Sequence, residues 1–101
     1  MPQTVGGFGV EKEADDKVRE VVGKVEVEIR SKLVEQIGAV SQSIEPLAYR
    51  TQIVAGTNYF VKLLIDQFEI FHARLYRNLQ GDVTLLSVTE RKTRDEEIEY
   101  F

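Results

Sequence analysis

The sequence contains no cysteine, one histidine and two prolines among its 101 residues. The missing thiols exclude disulfides, thiolate metal sites and a cysteine nucleophile together, and they suit a reducing compartment. The one imidazole, His72, stands between Phe71 and Ala73 with no partner set for zinc, so it reads as a structural or surface histidine and no cofactor is expected. No apolar run approaches the roughly 20 residues needed to cross a bilayer. Residues 1–10 lack the basic start and long apolar core of a secretory signal. A cytoplasmic protein with no membrane partner is the expectation. A dense basic patch is also missing: 17 acidic residues outweigh 13 basic ones. The cluster Arg91, Lys92 and Arg94 is answered by Asp95, Glu96, Glu97 and Glu99, so that segment reads as a solvated face or turn and nucleic acid is not an expected partner.

The length suits one domain with one modest core, spanning residues 1–101. Residues 1–13 carry three of the seven glycines and no period, which predicts an extended, flexible arm. At Asp15 and Asp16, either a good N-cap, a helical pattern begins. Val18, Val21, Val22, Val25, Ile29 and Leu33 fall within a stripe roughly 120° wide at about 100° per residue. One amphipathic helix over about residues 15–36 follows, closed by Gly38. It is intrinsically weak, because valine loses rotamer freedom in a helix and Gly23 costs about 1 kcal/mol relative to alanine. Burial of the valine stripe must hold it.

Residues 41–46 read as a connector, and after Pro46 the period becomes two. Leu47, Tyr49 and Thr51 alternate with Ala48, Arg50 and Gln52; Tyr59, Val61, Leu63 and Ile65 alternate with Phe60, Lys62, Leu64 and Asp66. A hairpin around residues 53–58 joins them. A turn at 66–69, a strand at 70–77, a turn at 78–82 and a strand at 83–89 complete the pattern. Ile98, Tyr100 and Phe101 in the charged tail are positioned to pack back on the domain. The fold class is therefore α+β: an N-terminal helix across an antiparallel meander of four to five strands. Hairpin connections alternate ends, which puts the 53–58 and 78–82 turns together.

Catalytic chemistry finds no support. Gly6-Gly7-Phe8-Gly9 neither follows a strand nor opens a helix, as a phosphate loop must. Asp15–Asp16 and Glu96–Glu97 are sequence neighbours on surface elements, suited to capping and solubility. Ser87 has no nucleophile-elbow context, and His72 lacks a nucleophile and an orienting acid. The chain is not expected to be an enzyme.

One anomaly remains. Ile53, Val54 and Ala55 lie where the chain must reverse, a place usually given to polar residues, glycine and proline. Neighbours in a strand point to opposite faces, so inward-turning side chains explain only one of the pair Ile53 and Val54. Exposed apolar patches commonly mark interaction sites.

Gln52-Ile53-Val54-Ala55-Gly56 fits the Gln-X-Val-X-Gly signature of the cystatins, and the extension Thr57-Asn58-Tyr59-Phe60 resembles their intracellular, disulfide-free branch, the stefins. The likeness spans nearly the whole chain. Gly6-Gly7 is similar to the family's N-terminal glycine pair, and Val18, Val21, Val22 and Val25 resemble its helix face. Leu79-Gln80-Gly81 resembles its second loop, and Asp95-Glu96-Glu97 with Tyr100-Phe101 its ending. Two departures stand out: Gln80 occupies the usual proline position, and the connector at 82–84 is shorter. Both point to a less rigid second loop.

The resemblance implies a cystatin-like fold and tight, reversible, non-covalent inhibition of papain-like cysteine proteases, including the cathepsins. It implies a wedge of three parts: Val5, Gly6 and Gly7 of the arm; Gln52, Ile53, Val54, Ala55 and Gly56 of the first hairpin; and Leu79, Gln80 and Gly81 of the second. Gly6 would let the backbone approach the cleft while Val5 offers a side chain, and Gln52 would hydrogen-bond the loop's own backbone. The arm and the hairpins would flank the catalytic cysteine without presenting it a carbonyl. A monomer is expected, with a domain-swapped dimer the other arrangement such a hairpin permits. The same fold serving as an interaction module without protease inhibition is the alternative reading.

Overall fold

The computed structural model describes residues 7–101. Five antiparallel strands form one sheet in the order β1-β2-β3-β4-β5, with two helices inserted between the first two strands. The elements are β1 (Lys12–Glu13), α1 (Asp16–Gly23), α2 (Glu26–Ile37), β2 (Ile44–Val54), β3 (Gly56–Ile65), β4 (Glu69–Arg77) and β5 (Val83–Val88). This is the α+β, cystatin-like architecture expected from the sequence.

The helical segment departs from the single helix read over 15–36. It is two helices with a break at Lys24 and Val25, where Val25 adopts φ −122°. The break falls beside Gly23 and within a run of valines, the residues least committed to helical backbone. Asp15 caps α1, its carboxylate accepting from the Val18 N–H at 2.9 Å. That bond and a second one from the Tyr49 hydroxyl hold the Asp15 carboxyl below its usual range. Gly38 ends α2 in the left-handed region at φ 82°, its N–H donating to the Val34 carbonyl. Val18, Val21, Val22, Val25, Ile29 and Leu33 are all buried against Tyr59, Val61, Leu63, Ile65, Phe71, Ala73 and Leu75. Full burial of such a side chain contributes about 1.5–3 kcal/mol, so the stripe readily outweighs the cost of Gly23.

Three more boundaries move. The stretch read as a connector already belongs to β2, which starts at Ile44 and contains Pro46. Proline is tolerated there because the register shifts between Pro46 and Ala48, a bulge at a residue with no N–H to donate. Part of the stretch read as a free arm is paired: Lys12 and Glu13 stand opposite Tyr49 and Ala48, and Phe8 bridges Gln52. The first hairpin is tighter than residues 53–58, since Val54 pairs with Gly56 and only Ala55 lies between the strands.

The face of the sheet away from the helices is also covered. Ile98 is fully buried there. Arg50, Lys62 and Arg74 reach from this face to main-chain oxygens of the tail: Arg50 to Ile98 at 2.9 Å, Lys62 to Arg94 at 2.8 Å and Arg74 to Phe101 at 2.7 Å. Lys92 bridges Ile70. The segment read as a solvated face is thus anchored through its backbone while its charged side chains remain outside. His72 lies beneath it, buried, with no hydrogen-bond partner for Nε2 among the described residues.

Candidate functional site

The residues singled out in the first hairpin divide into buried and exposed. Gln52 and Gly56 are buried, Val54 is half-buried, and Ile53 and Ala55 are exposed, Ile53 by 61%. At the base, the Asn58 side-chain amide donates to the Gln52 side-chain oxygen at 3.1 Å. The expected Gln52 bond to loop backbone is therefore replaced by a side-chain bond across the ladder. Both groups are nearly dry, where a satisfied hydrogen bond fixes one geometry.

The tip rests on the next strand. The Tyr76 hydroxyl donates to the Ala55 carbonyl. Gly56 adopts φ +108°, and a Cβ there would lie 2.5 Å from the Arg77 carbonyl oxygen and 2.8 Å from the Tyr76 hydroxyl. Glycine is required twice over, by the backbone angle and by the neighbouring chain. Val54-Ala55-Gly56 thus reverses without polar turn residues because β4 braces it from the side.

The second loop, 78–82, follows directly from the end of β4 that supports the first. Leu79 is 77% exposed at its outer edge. The Asn78 side-chain oxygen accepts from the Gln80 N–H at 3.0 Å and the Asp82 N–H at 2.9 Å. The Asn78 N–H donates to the Asp82 carbonyl and the Gly81 N–H to the Asn78 carbonyl. Gly81 takes φ +95°, and Lys24, at the helix break, donates to its carbonyl at 3.1 Å. Where a looser loop was expected without proline, an asparagine closes it from inside.

On the other side of the first hairpin runs the root of the arm. Gly7 is exposed, Phe8 bridges Gln52, and the Gly9 N–H donates to the Thr51 carbonyl at 2.8 Å. Val5 and Gly6, the remaining residues singled out, lie outside the described residues. The structure brings together Gly7, Gln52, Ile53, Val54, Ala55, Gly56, Leu79, Gln80 and Gly81 along one edge. It adds Phe8, Asn58, Tyr76 and Asn78, which carry the shape. Asn78 was legible as the asparagine opening a turn closed by Gly81-Asp82; Tyr76 was concealed as an ordinary strand residue.

Chemically the edge is an apolar rim over hydrogen-bonded roots. Among the described residues, no group of three or more His, Asp or Glu side chains is arranged to hold a metal ion. No helix there is long and apolar enough to cross a membrane.

Comparison with known proteins gives the same direction. No family model matches the chain. Cystatin-A2 of Dictyostelium discoideum is 39% identical over 97 residues, covering 96% of this chain and 97% of its own. The chain belongs to the cystatin family, on its stefin branch. Human Cystatin-A is 31% identical over 99 residues, covering 95% and 97% of the two chains. Leukocyte cysteine proteinase inhibitor 1 of Sus scrofa is 28% identical over 99 residues, with 95% and 92% covered. In this cystatin the exposed side chains Ile53 and Leu79 stand on neighbouring, internally bonded turns.

Proposed function

We propose that this cystatin is a reversible, tight-binding, non-covalent inhibitor of papain-like cysteine proteases of the cathepsin type. The observation that carries the reading is the contrast between tip and root. Ile53 and Leu79 are exposed by 61% and 77%, while Gln52, Asn58 and Gly56 beneath them are buried. Solvent-facing apolar side chains on rigid supports suit insertion into a cleft, because little conformational entropy remains to be lost on docking. Each apolar Å² removed from water contributes about 25 cal/mol, and protease–inhibitor contacts bury about 1,600 Å² in total. The names of the relatives, one of them a cysteine proteinase inhibitor, supply the partner class.

In this reading Val5, Gly6 and Gly7 occupy one side of the catalytic cysteine and the two hairpins the other. No peptide carbonyl then meets the thiolate, so the inhibitor leaves the cleft uncut. The working form is a monomer, since exchange of the first hairpin between chains would remove the tip. The lack of cysteine suits the cytoplasm, where we place the activity.

The test is a titration of active-site-calibrated papain, with cathepsin endopeptidases and exopeptidases alongside. Stoichiometric inhibition is expected, with activity regained on dilution and an inhibitor of unchanged mass. Absence of inhibition at about 10 μM would leave a cystatin-fold interaction module instead; a ceiling that weak corresponds to only about −7 kcal/mol.

A further inference from the structure

The root of the arm is held by side chains that the wedge itself does not use. Phe8 packs edge-on against Phe60, ring centroids 4.8 Å apart, and against Tyr100 at 6.0 Å. Tyr100 and Phe60 are themselves 5.4 Å apart. The Arg50 guanidinium lies 3.8 Å above the Phe8 ring, while its Nε donates to the Gly9 carbonyl at 2.6 Å and its Nη1 to the Ile98 carbonyl at 2.9 Å. One planar side chain therefore stacks on Phe8, holds the backbone immediately after it and holds the tail that carries Tyr100. Edge-to-face aromatic pairs stabilise beyond their area burial, and a partly desolvated Arg–aromatic stack adds to them. A guanidinium's fixed fork makes such a junction directional, which a lysine cannot reproduce.

We infer that Arg50 is a positioning residue: with Phe60 and Tyr100 it clamps Phe8, so the C-terminal tail fixes the root of the arm at residues 7–9. The inference rests on the proposed wedge for its functional consequence, but the clamp is a property of the fold. Freed from it, the arm would pivot at Gly7, where a Cβ would meet nothing within 4 Å. The hairpins would keep their own supports, since the Gln52–Asn58 and Tyr76–Ala55 bonds share no atom with Arg50.

The experiment is a double-mutant cycle in the full-length chain, with Arg50→Met and Arg50→Lys each measured alone and combined with Gly6→Arg, which disables the arm. Papain inhibition is expected to weaken about tenfold in Arg50→Met, about 1.4 kcal/mol, and nearly as much in Arg50→Lys. On the Gly6→Arg background the same changes are expected to cost less than about twofold, because an arm already lost has nothing left to position. A merely structural role gives equal losses on both backgrounds and overturns the inference. Amide hydrogen exchange provides the second readout. In Arg50→Met the Gly9 amide is expected to exchange at least about tenfold faster while Leu63 in β3 keeps its protection. An unchanged Gly9 rate refutes the clamp. Should the unaltered protein leave papain active, the wedge reading falls and the Gly9 rate alone decides the clamp.

Discussion

Gly56 lies so close beneath β4 that a Cβ would sit 2.5 Å from the carbonyl oxygen of Arg77. Its φ of +108° is also closed to other residues without strain. The tip of the first hairpin is therefore shaped by a strand that does not belong to it. Gly56→Ala is expected to destabilise the fold by about 2 kcal/mol or more, adding the left-handed backbone penalty to a collision with main chain. Denaturant unfolding measures the loss. Inhibition of papain by the folded fraction is expected to fall as well, because relief of the clash moves Ala55 away from Tyr76.

Ile53 and Leu79 make the opposite prediction. Both face solvent, so Ile53→Ser and Leu79→Ser are expected to change stability by no more than about 0.5 kcal/mol. Each is expected to weaken papain inhibition by at least about tenfold, mainly through faster dissociation. Melting curves beside inhibition kinetics separate the two quantities. Inhibition by both variants equal to that of the unaltered protein would exclude these side chains from the contact.

The second loop offers a test of what replaces proline. The Gln80 N–H donates to the Asn78 side-chain oxygen at 3.0 Å, so Gln80→Pro removes a bond while it stiffens the chain. The two effects offset, and inhibition is expected to improve by no more than about twofold. Asn78→Ala removes the acceptor for two N–H groups and is expected to cost more, about 1 kcal/mol of stability with a several-fold loss of inhibition. Inhibition constants for the pair check the ordering; a looser inhibitor from Gln80→Pro than from Asn78→Ala would reverse the assignment of rigidity to the asparagine.

How far the sequence disclosed this structure depends on which face of the sheet is considered. Period-two alternation in Tyr59, Val61, Leu63 and Ile65 located β3 and its helix-facing side, and Asp15 and Gly38 marked the limits of the helical segment. The helix break was hidden because Gly23 and Val25 lower propensity without forbidding a helix; Lys24 reaching Gly81 is a tertiary contact. The second face was harder. Phe60, Lys62 and Leu64 alternate with the core positions as a mixed apolar and charged set, and His72 reads as a structural or surface histidine, yet all four are buried. What covers them is a charged tail bonded through its carbonyls, and backbone acceptors carry no sequence signature. Phe8 was lost for a different reason: its side-chain partners Arg50, Phe60 and Tyr100 are dispersed along the chain.

The tail's contribution is measurable at Ile98, which is fully buried among residues described as charged and exposed. Ile98→Ala is expected to cost about 2–4 kcal/mol, in the range for truncating a fully buried aliphatic side chain. Unfolding by denaturant reads this directly. A cost below about 0.5 kcal/mol would mean that the tail is not part of the cooperative fold.

His72 gives the fold a pH dependence whose sign can be worked out. Burial, reinforced by the charges of Lys62 and Lys92 and opposed by Glu96 and Glu11, pushes its pKa down from 6.5 to about 4. Between those values the unfolded chain binds a proton that the native state refuses. The contribution to stability is therefore complete above about pH 6.5 and is lost as the pH falls toward 4, where the native imidazole also protonates and the loss levels off. Integrated over that window it amounts to about 3 kcal/mol. The Asp15 and Glu96 carboxyls are held below their usual values by backbone N–H groups, so they add a decline of the same sign only in more acidic solution. Stability measured by denaturant at pH 7, 5.5 and 4.5 is expected to fall steeply in the unaltered protein and to be nearly flat in His72→Gln, whose side chain does not titrate. Parallel curves for the two would show that the imidazole gains its proton in the folded state as easily as in water.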